Sequence, residues 1–209
     1  MNEHDLKGVF STISKLMDEN RSYLIELDQK NGDGDLGVSM SAGFKAASEM
    51  LNNSEEKDLG QLFMSASRAL NEAAPSTLGT ILTLFLMGIA KSIRGKESST
   101  VSELADAMLE GINRIMERAK SKPGEKTILD ALNPGVIALK ESNTESFREA
   151  FAIAYEKAAE GSEATKEMKS VHGRAAYFAD NSIGVLDGGS VAGKLIFEGF
   201  YSYFSGETK

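Results

Sequence analysis

Cysteine and tryptophan are missing from this 209-residue chain, proline occurs three times and histidine twice. Without thiols there is no disulfide and no thiolate metal site. With only His4 and His172, a zinc centre would lack its usual ligands. Positive charge is also scarce: 23 Lys and Arg against 31 Asp and Glu leave a formal net charge of −8. That balance argues against a sequence-independent grip on nucleic acid, which relies on Lys/Arg patches. An anionic ligand would have to be held by local donors or by a metal. Long apolar runs are absent too. The most apolar stretch, Ile81 to Ala90, is about half of the ~20 residues a membrane span needs and reads as a buried helix. The N-terminus MNEHDLKGVF is acidic where a secretory signal is basic. These exclusions lead to the expectation of a single cytoplasmic domain over residues 1–209, with neither nucleic acid nor membrane as a partner.

What is present is helical periodicity. Leu6, Val9, Phe10, Ile13, Leu16 and Met17 recur at three- and four-residue spacing. So do Val101, Leu104, Ala105, Met108, Ile112, Ile115 and Ala119, and so do Phe147, Ala150, Phe151, Ala154 and Ala158. Thr100 and Glu103 have the spacing of a capping box, and Gly161 stands where a helix C-terminal glycine belongs. The stretch 81–93 is apolar on nearly every face and predicts a central helix surrounded by others. A last helix reads from Ser190 to Phe204. Period-2 alternation and hairpin turns are lacking, so the fold class is all-α, with about eight helices. Polar breaks fall near 52–57, 95–99, 120–125 and 161–170.

Four segments do not suit a plain bundle: 27–40, 74–80, 122–135 and 173–190. Each gathers Gly, Pro, Asp, Ser or Thr beside a helix start, where unpaired N–H groups and the positive dipole end favour anions. The first contains Asp28, Asp33 and Asp35, separated by Gly32 and Gly34. Carboxylates this close repel unless a cation or protons neutralise them. A small oxygen-rich turn suits Mg²⁺ or Ca²⁺. An EF-hand register fails, because counting from Asn31 puts Leu36 where Gly is required and Ala42 where a bidentate Glu is required. Room for water and phosphate oxygens suits a Mg–nucleotide site, whereas a solvated Asp/Gly turn accounts for the same residues; spacing alone does not separate the two. The segment Gly189–Leu195 resembles a phosphate loop but is one residue short, lacks the Ser/Thr and follows no strand, so it is rejected.

Three motifs in order carry a family resemblance. They are Leu27-Asp28 with Gly32-Asp33-Gly34-Asp35-x-Gly37 and Met40; Gly124-Glu125-Lys126-Thr127-x-x-Asp130-Ala131-Leu132; and Gly173-Arg174-Ala175-x-Tyr177 leading through Ser182-Ile183-Gly184 to Asp187-Gly188-Gly189. Over essentially its whole length the chain resembles the small nucleotide-binding subunit of bacterial dihydroxyacetone kinases, also found as the C-terminal domain of single-chain kinases. The resemblance implies an antiparallel barrel of eight helices with the nucleotide at one end. It implies that Asp28, Asp33 and Asp35 hold two Mg²⁺ ions bridging the phosphates, and that these carboxylates carry the catalytic charge neutralisation. Leu36, Gly37, Val38 and Ser39, with Ser76 and Thr77, would face the phosphates. Thr127, Ile128, Asp187 and Gly188 would line the nucleoside pocket, and Arg174 would be a ligand, a site-shaping residue or a surface ion-pair partner.

The implied activity is phosphoryl transfer from ATP, or from tightly bound ADP rephosphorylated by a phosphotransferase-system phosphocarrier. The acceptor would be dihydroxyacetone or a related hydroxyketone or sugar on a partner subunit. The chain departs from the family pattern at several points. Leu36 replaces a usual His, Ser39 an Asn, Asn181 an Arg and Ala119 a Gly, Pro75-Ser76-Thr77-Leu78 replaces a Ser-Gly-Pro-like segment, and Gly188 replaces the Pro of Asp-Pro-Gly. These departures motivate an alternative, a catalytically weakened module that binds nucleotide and a protein partner. A nucleotide domain of a fatty-acid-kinase-like system shares the aspartate motif as a third reading.

Overall fold

The computed structural model describes residues 1–206, and among them the regular structure is helical, with no strand. In chain order the α-helices are α1 (Glu3–Glu19), α2 (Arg21–Asn31), α3 (Leu36–Asn52), α4 (Leu59–Ala73), α5 (Thr77–Ser92), α6 (Val101–Ala119), α7 (Leu129–Glu141), α8 (Phe147–Ala164) and α9 (Gly188–Ser205). Their starts follow local chemistry. Thr100 Oγ1 accepts the Glu103 N–H while Glu103 returns a carboxylate oxygen to the Thr100 N–H, so the expected capping box forms. Asp58, Ser76, Ser146 and Asp187 cap α4, α5, α8 and α9 through their side chains.

Eight of the helices form a closed ring in the order α1, α3, α4, α5, α6, α7, α8, α9, with α9 returning to α1. The ninth, α2, lies across one end, mainly against α3. Neighbours are antiparallel. Ser11 faces Ser48 and Ser41 donates to Asp18 between α1 and α3, while Tyr203 near the end of α9 donates to Asp5 at the start of α1. The interior is filled by Phe10, Phe63, Phe85, Phe151 and Phe197, all nearly inaccessible, with Phe151 stacked on Phe200 at 4.4 Å between ring centroids.

Two expectations need correction. The apolar stretch 81–93 lies mostly in α5, which is a stave of the ring between α4 and α6, not a central helix. Its apolar character reflects two helix neighbours plus the aromatic interior. Gly88 and Gly111 let α5 and α6 approach so closely that a Cβ on Gly88 would sit 2.6 Å from the Gly111 Cα. Gly161 is also not a helix end. It lies inside α8, with its missing Cβ facing the Asp130 carbonyl of α7. Pro134 cannot donate the helical N–H that this carbonyl would normally accept, and α8 packs into the gap.

Candidate functional site at the mouth of the barrel

In an antiparallel ring, alternate staves begin at the same end. Here α3, α5, α7 and α9 start together, and the four segments unsuited to a plain bundle are the loops that lead into or flank those starts. Around them lies a pocket of about 780 Å³. Four helix N-termini directed at one cavity concentrate unpaired N–H groups and positive dipole ends there.

The aspartates come from the α2–α3 connection. Asp28 lies in the last turn of α2 and accepts the Gly34 N–H at 2.8 Å, with Gly34 in the left-handed region (φ 79°) that lets the chain double back. Asp35 is the residue before α3, yet its side chain caps nothing in the helix. One carboxylate oxygen from each of Asp28, Asp33 and Asp35 lies within 4.8 Å of the others. Burial, then the charges of Asp33 and Asp28, raises the Asp35 carboxyl above its ordinary range. Against this repulsion stands Arg174, whose guanidinium pairs with Asp33 at 2.6 Å. The donor set is all carboxylate oxygen, as a hard divalent cation requires, and a protein cation already sits against it.

The other expected residues divide between wall and backing. Leu36 lines the pocket and is buried against Gly188, where a Cβ would meet the Leu36 side chain at 2.5 Å. The apolar residue that replaces a histidine is therefore part of a Leu36–Gly188 contact. Gly37, Val38 and Ser39 do not line the cavity. Gly37 packs under the Arg21 carbonyl of α2, Val38 is exposed, and the Ser39 N–H is used within the helix by Asp35. Ser39 Oγ instead accepts from Ser76 Oγ at 3.3 Å, joining the starts of α3 and α5. Ser76 and Thr77 are on the wall, as are Thr127, Ile128, Arg174, Asp187 and Gly188. Asp187 caps α9 by accepting the Ser190 N–H at 2.6 Å. Burial pushes its carboxyl up to about 7, opposed by that hydrogen bond and by Lys126, and assisted by Asp130 and Asp28.

In the sequence Lys126 and Asp130 are motif residues without an assigned role, and His172 falls just outside the third motif. Asp130 is buried and accepts the Gly124 and Thr127 N–H groups at 2.5 and 2.6 Å, shaping the turn before α7. His172 and Glu125 join across the rim at 2.5 Å. Lys126 is buried against backbone carbonyls. The signal available along the chain is the motif itself, with Lys126 and Asp130 set between Gly124 and a helix start. Asn181 is exposed in a 3₁₀ segment, Arg174–Ser182, and lies off the pocket wall.

The ring closure and the carboxylates at its mouth define an all-helical barrel with an acidic, N-terminus-lined pocket. The chain belongs to the DAK2 domain family, whose model matches residues 30–202. It is 29% identical over 186 residues to the ADP-binding subunit DhaL of a PEP-dependent dihydroxyacetone kinase from Escherichia coli (strain K12), covering 88% of this chain and 85% of that one. It is 32% identical over 182 residues to the corresponding subunit of kinase 1 from Listeria innocua serovar 6a, covering 86% and 85%. In fold it matches the crystal structure of the dihydroxyacetone kinase from C. freundii in complex with AMP-PNP and Mg²⁺, with a TM-score of 0.75 at 19% identity, over 94% of this chain and 33% of that longer one. No helix among the described residues is long and apolar enough to cross a membrane.

Proposed function

We propose that this chain is the nucleotide-holding subunit of a dihydroxyacetone-kinase-type phosphotransferase. The observation that carries the reading is the carboxylate trio at a pocket ringed by four helix N-termini. Asp28, Asp33 and Asp35 would hold Mg²⁺, two ions by the family resemblance. When bound, the metal neutralises phosphate charge. The chain's own residues supply position. Gly34 orients Asp28, Leu36 brings the uncapped start of α3 to the wall, and Thr77 adds a hydroxyl at the start of α5 beside Ser76, whose own hydroxyl ties α5 to Ser39. Thr127, Ile128, Asp187 and Gly188 would receive the nucleoside, with Leu36 as part of an apolar floor.

Phosphoryl transfer asks mainly for alignment and charge neutralisation, so the acceptor can be presented by another subunit. That subunit would hold dihydroxyacetone or a related hydroxyketone or sugar. The similar chains of E. coli and L. innocua are named as ADP-binding subunits of PEP-dependent kinases. This favours ADP kept as a cofactor and rephosphorylated by a phosphotransferase-system phosphocarrier over exchange with free ATP.

Calorimetry with ADP and ATP, with and without Mg²⁺, tests the proposal. Wild type should bind Mg–nucleotide, and Asp33→Ala should weaken it at least about tenfold without unfolding, since Asp33 is exposed. No binding by wild type, or no effect of Asp33→Ala, sinks it. The apolar Leu36 at the metal mouth favours one second reading, a binding module without turnover. Nucleotide binding with no transfer to any partner-held hydroxyketone would select it.

A further inference from the structure

Lys126 stands in the Gly124–Thr127 motif with its backbone in the left-handed region (φ 60°), a conformation that costs energy for a residue with a Cβ. The side chain is 4% exposed. Its ammonium donates to the carbonyl oxygens of Thr165 at 2.7 Å, Met168 at 3.2 Å, Ser182 at 2.8 Å and Val185 at 2.5 Å. Three protons shared among four carbonyls leave none for a phosphate. Although Lys126 borders the pocket, its charge is therefore spent on the protein's own backbone.

The four carbonyls are not scattered. Thr165 and Met168 belong to the chain leaving α8, and Ser182 and Val185 to the chain returning to α9. The ammonium thus occupies the neck of a loop spanning residues 166–187. The neck is also tied by Gly184 N–H to the Lys166 carbonyl (2.7 Å), Ser170 N–H to Ser182 Oγ (2.9 Å) and Asp187 N–H to Thr165 Oγ1 (3.1 Å). The adjacent Glu125 reaches the other side of the loop through His172. Beyond the neck the excursion is thinly packed, with Tyr177 91% exposed. Yet this loop carries His172, Gly173, Arg174 and Ala175 onto the pocket wall and ends at Asp187. Its placement is set at the neck.

We propose that Lys126 is a positioning residue whose buried ammonium closes the neck of the 166–187 loop and so holds Arg174 and Asp187 in the pocket wall. The proposal rests on the nucleotide reading above. Asp28, Asp33 and Asp35 are carried by the last turn of α2 and the turn into α3, outside the neck, and the loop touches them only through Arg174 on Asp33, so loosening the neck should weaken nucleotide binding without weakening metal binding.

The test compares Lys126→Met, which keeps the stem and removes the charge, with Lys126→Ala, which leaves room for propylammonium. Mg–ADP affinity, Mn²⁺ affinity without nucleotide, and thermal melting are measured. Losing a charge-assisted carbonyl set should weaken Mg–ADP binding of Lys126→Met at least about tenfold, with Mn²⁺ affinity unchanged or, as Arg174 leaves Asp33, up to about fivefold tighter. Propylammonium should recover Mg–ADP binding by Lys126→Ala at least about fivefold and leave wild type and Lys126→Met unchanged. Wild-type Mg–ADP affinity in Lys126→Met, equal loss of Mn²⁺, or no amine recovery overturns the proposal. If both variants unfold, Lys126→Ala with propylammonium decides: refolding with Mg–ADP binding supports it, and no refolding overturns it. A wild-type chain that binds no Mg–ADP defeats the nucleotide reading itself, an outcome distinct from a variant that binds like wild type.

Discussion

Asp187→Asn should stabilise the ligand-free protein, and by more at alkaline than at acid pH. Burial raises the Asp187 carboxyl to about 7, whereas in the unfolded chain it titrates near 4. Between those values the folded state holds a proton that the unfolded state has released, so stability falls as pH rises from about 4 and levels off above about 7. Roughly three pH units at about 1.4 kcal/mol each set a ceiling of about 4 kcal/mol on the loss. Water reaches the residue from the pocket side, so about 2 kcal/mol is the realistic figure. Asn is as good a helix N-cap as Asp, so the bond to the Ser190 N–H can be kept. Urea unfolding of wild type and Asp187→Asn, without Mg²⁺ or nucleotide, should give a variant advantage at pH 8 exceeding that at pH 5 by about 1 kcal/mol, since one of the three pH units lies below pH 5. Equal differences at both pH values would refute the reasoning, because only the titration of this carboxyl distinguishes the two chains.

Other expectations test the mouth and the barrel separately. Arg174 competes with a cation for Asp33, and exposed ion pairs are worth at most about 1 kcal/mol, so Arg174→Gln should tighten Mn²⁺ binding without nucleotide by up to about fivefold. Paramagnetic resonance of free Mn²⁺ reads this, and weaker binding would contradict it. Gly88→Ala forces α5 away from α6 and should cost about 1–3 kcal/mol, seen as a lower urea midpoint. Thr100→Ala removes half of the capping box of α6 and should cost about 1 kcal/mol in the same assay, with the site untouched.

Much of the barrel was legible along the chain. The stripes in 6–17, 101–119 and 147–158 bury most of the face they predict, with Leu16, Ala119 and Phe147 half-buried at its edges, because a helix keeps its period wherever it packs. The Thr100 box was equally readable, since a cap is completed within four residues. Gly161 and the 81–93 stretch point the wrong way locally because their meaning is tertiary. A glycine excused by a neighbouring carbonyl looks locally like one excused by a helix end, and a stave apolar on two flanks looks like a central helix.

The sequence by itself determined the helices, the exclusion of thiol and zinc chemistry, and the grouping of Asp28, Asp33 and Asp35, because each depends on composition or on residues close along the chain. Only the tertiary structure decided that α3, α5, α7 and α9 open onto one pocket, since that follows from ring closure and antiparallel order. It alone brought Arg174 to Asp33 and drew the Lys126 ammonium into carbonyls 39 to 59 residues away. No local pattern encodes such contacts; they exist because the barrel places distant loops at the same end.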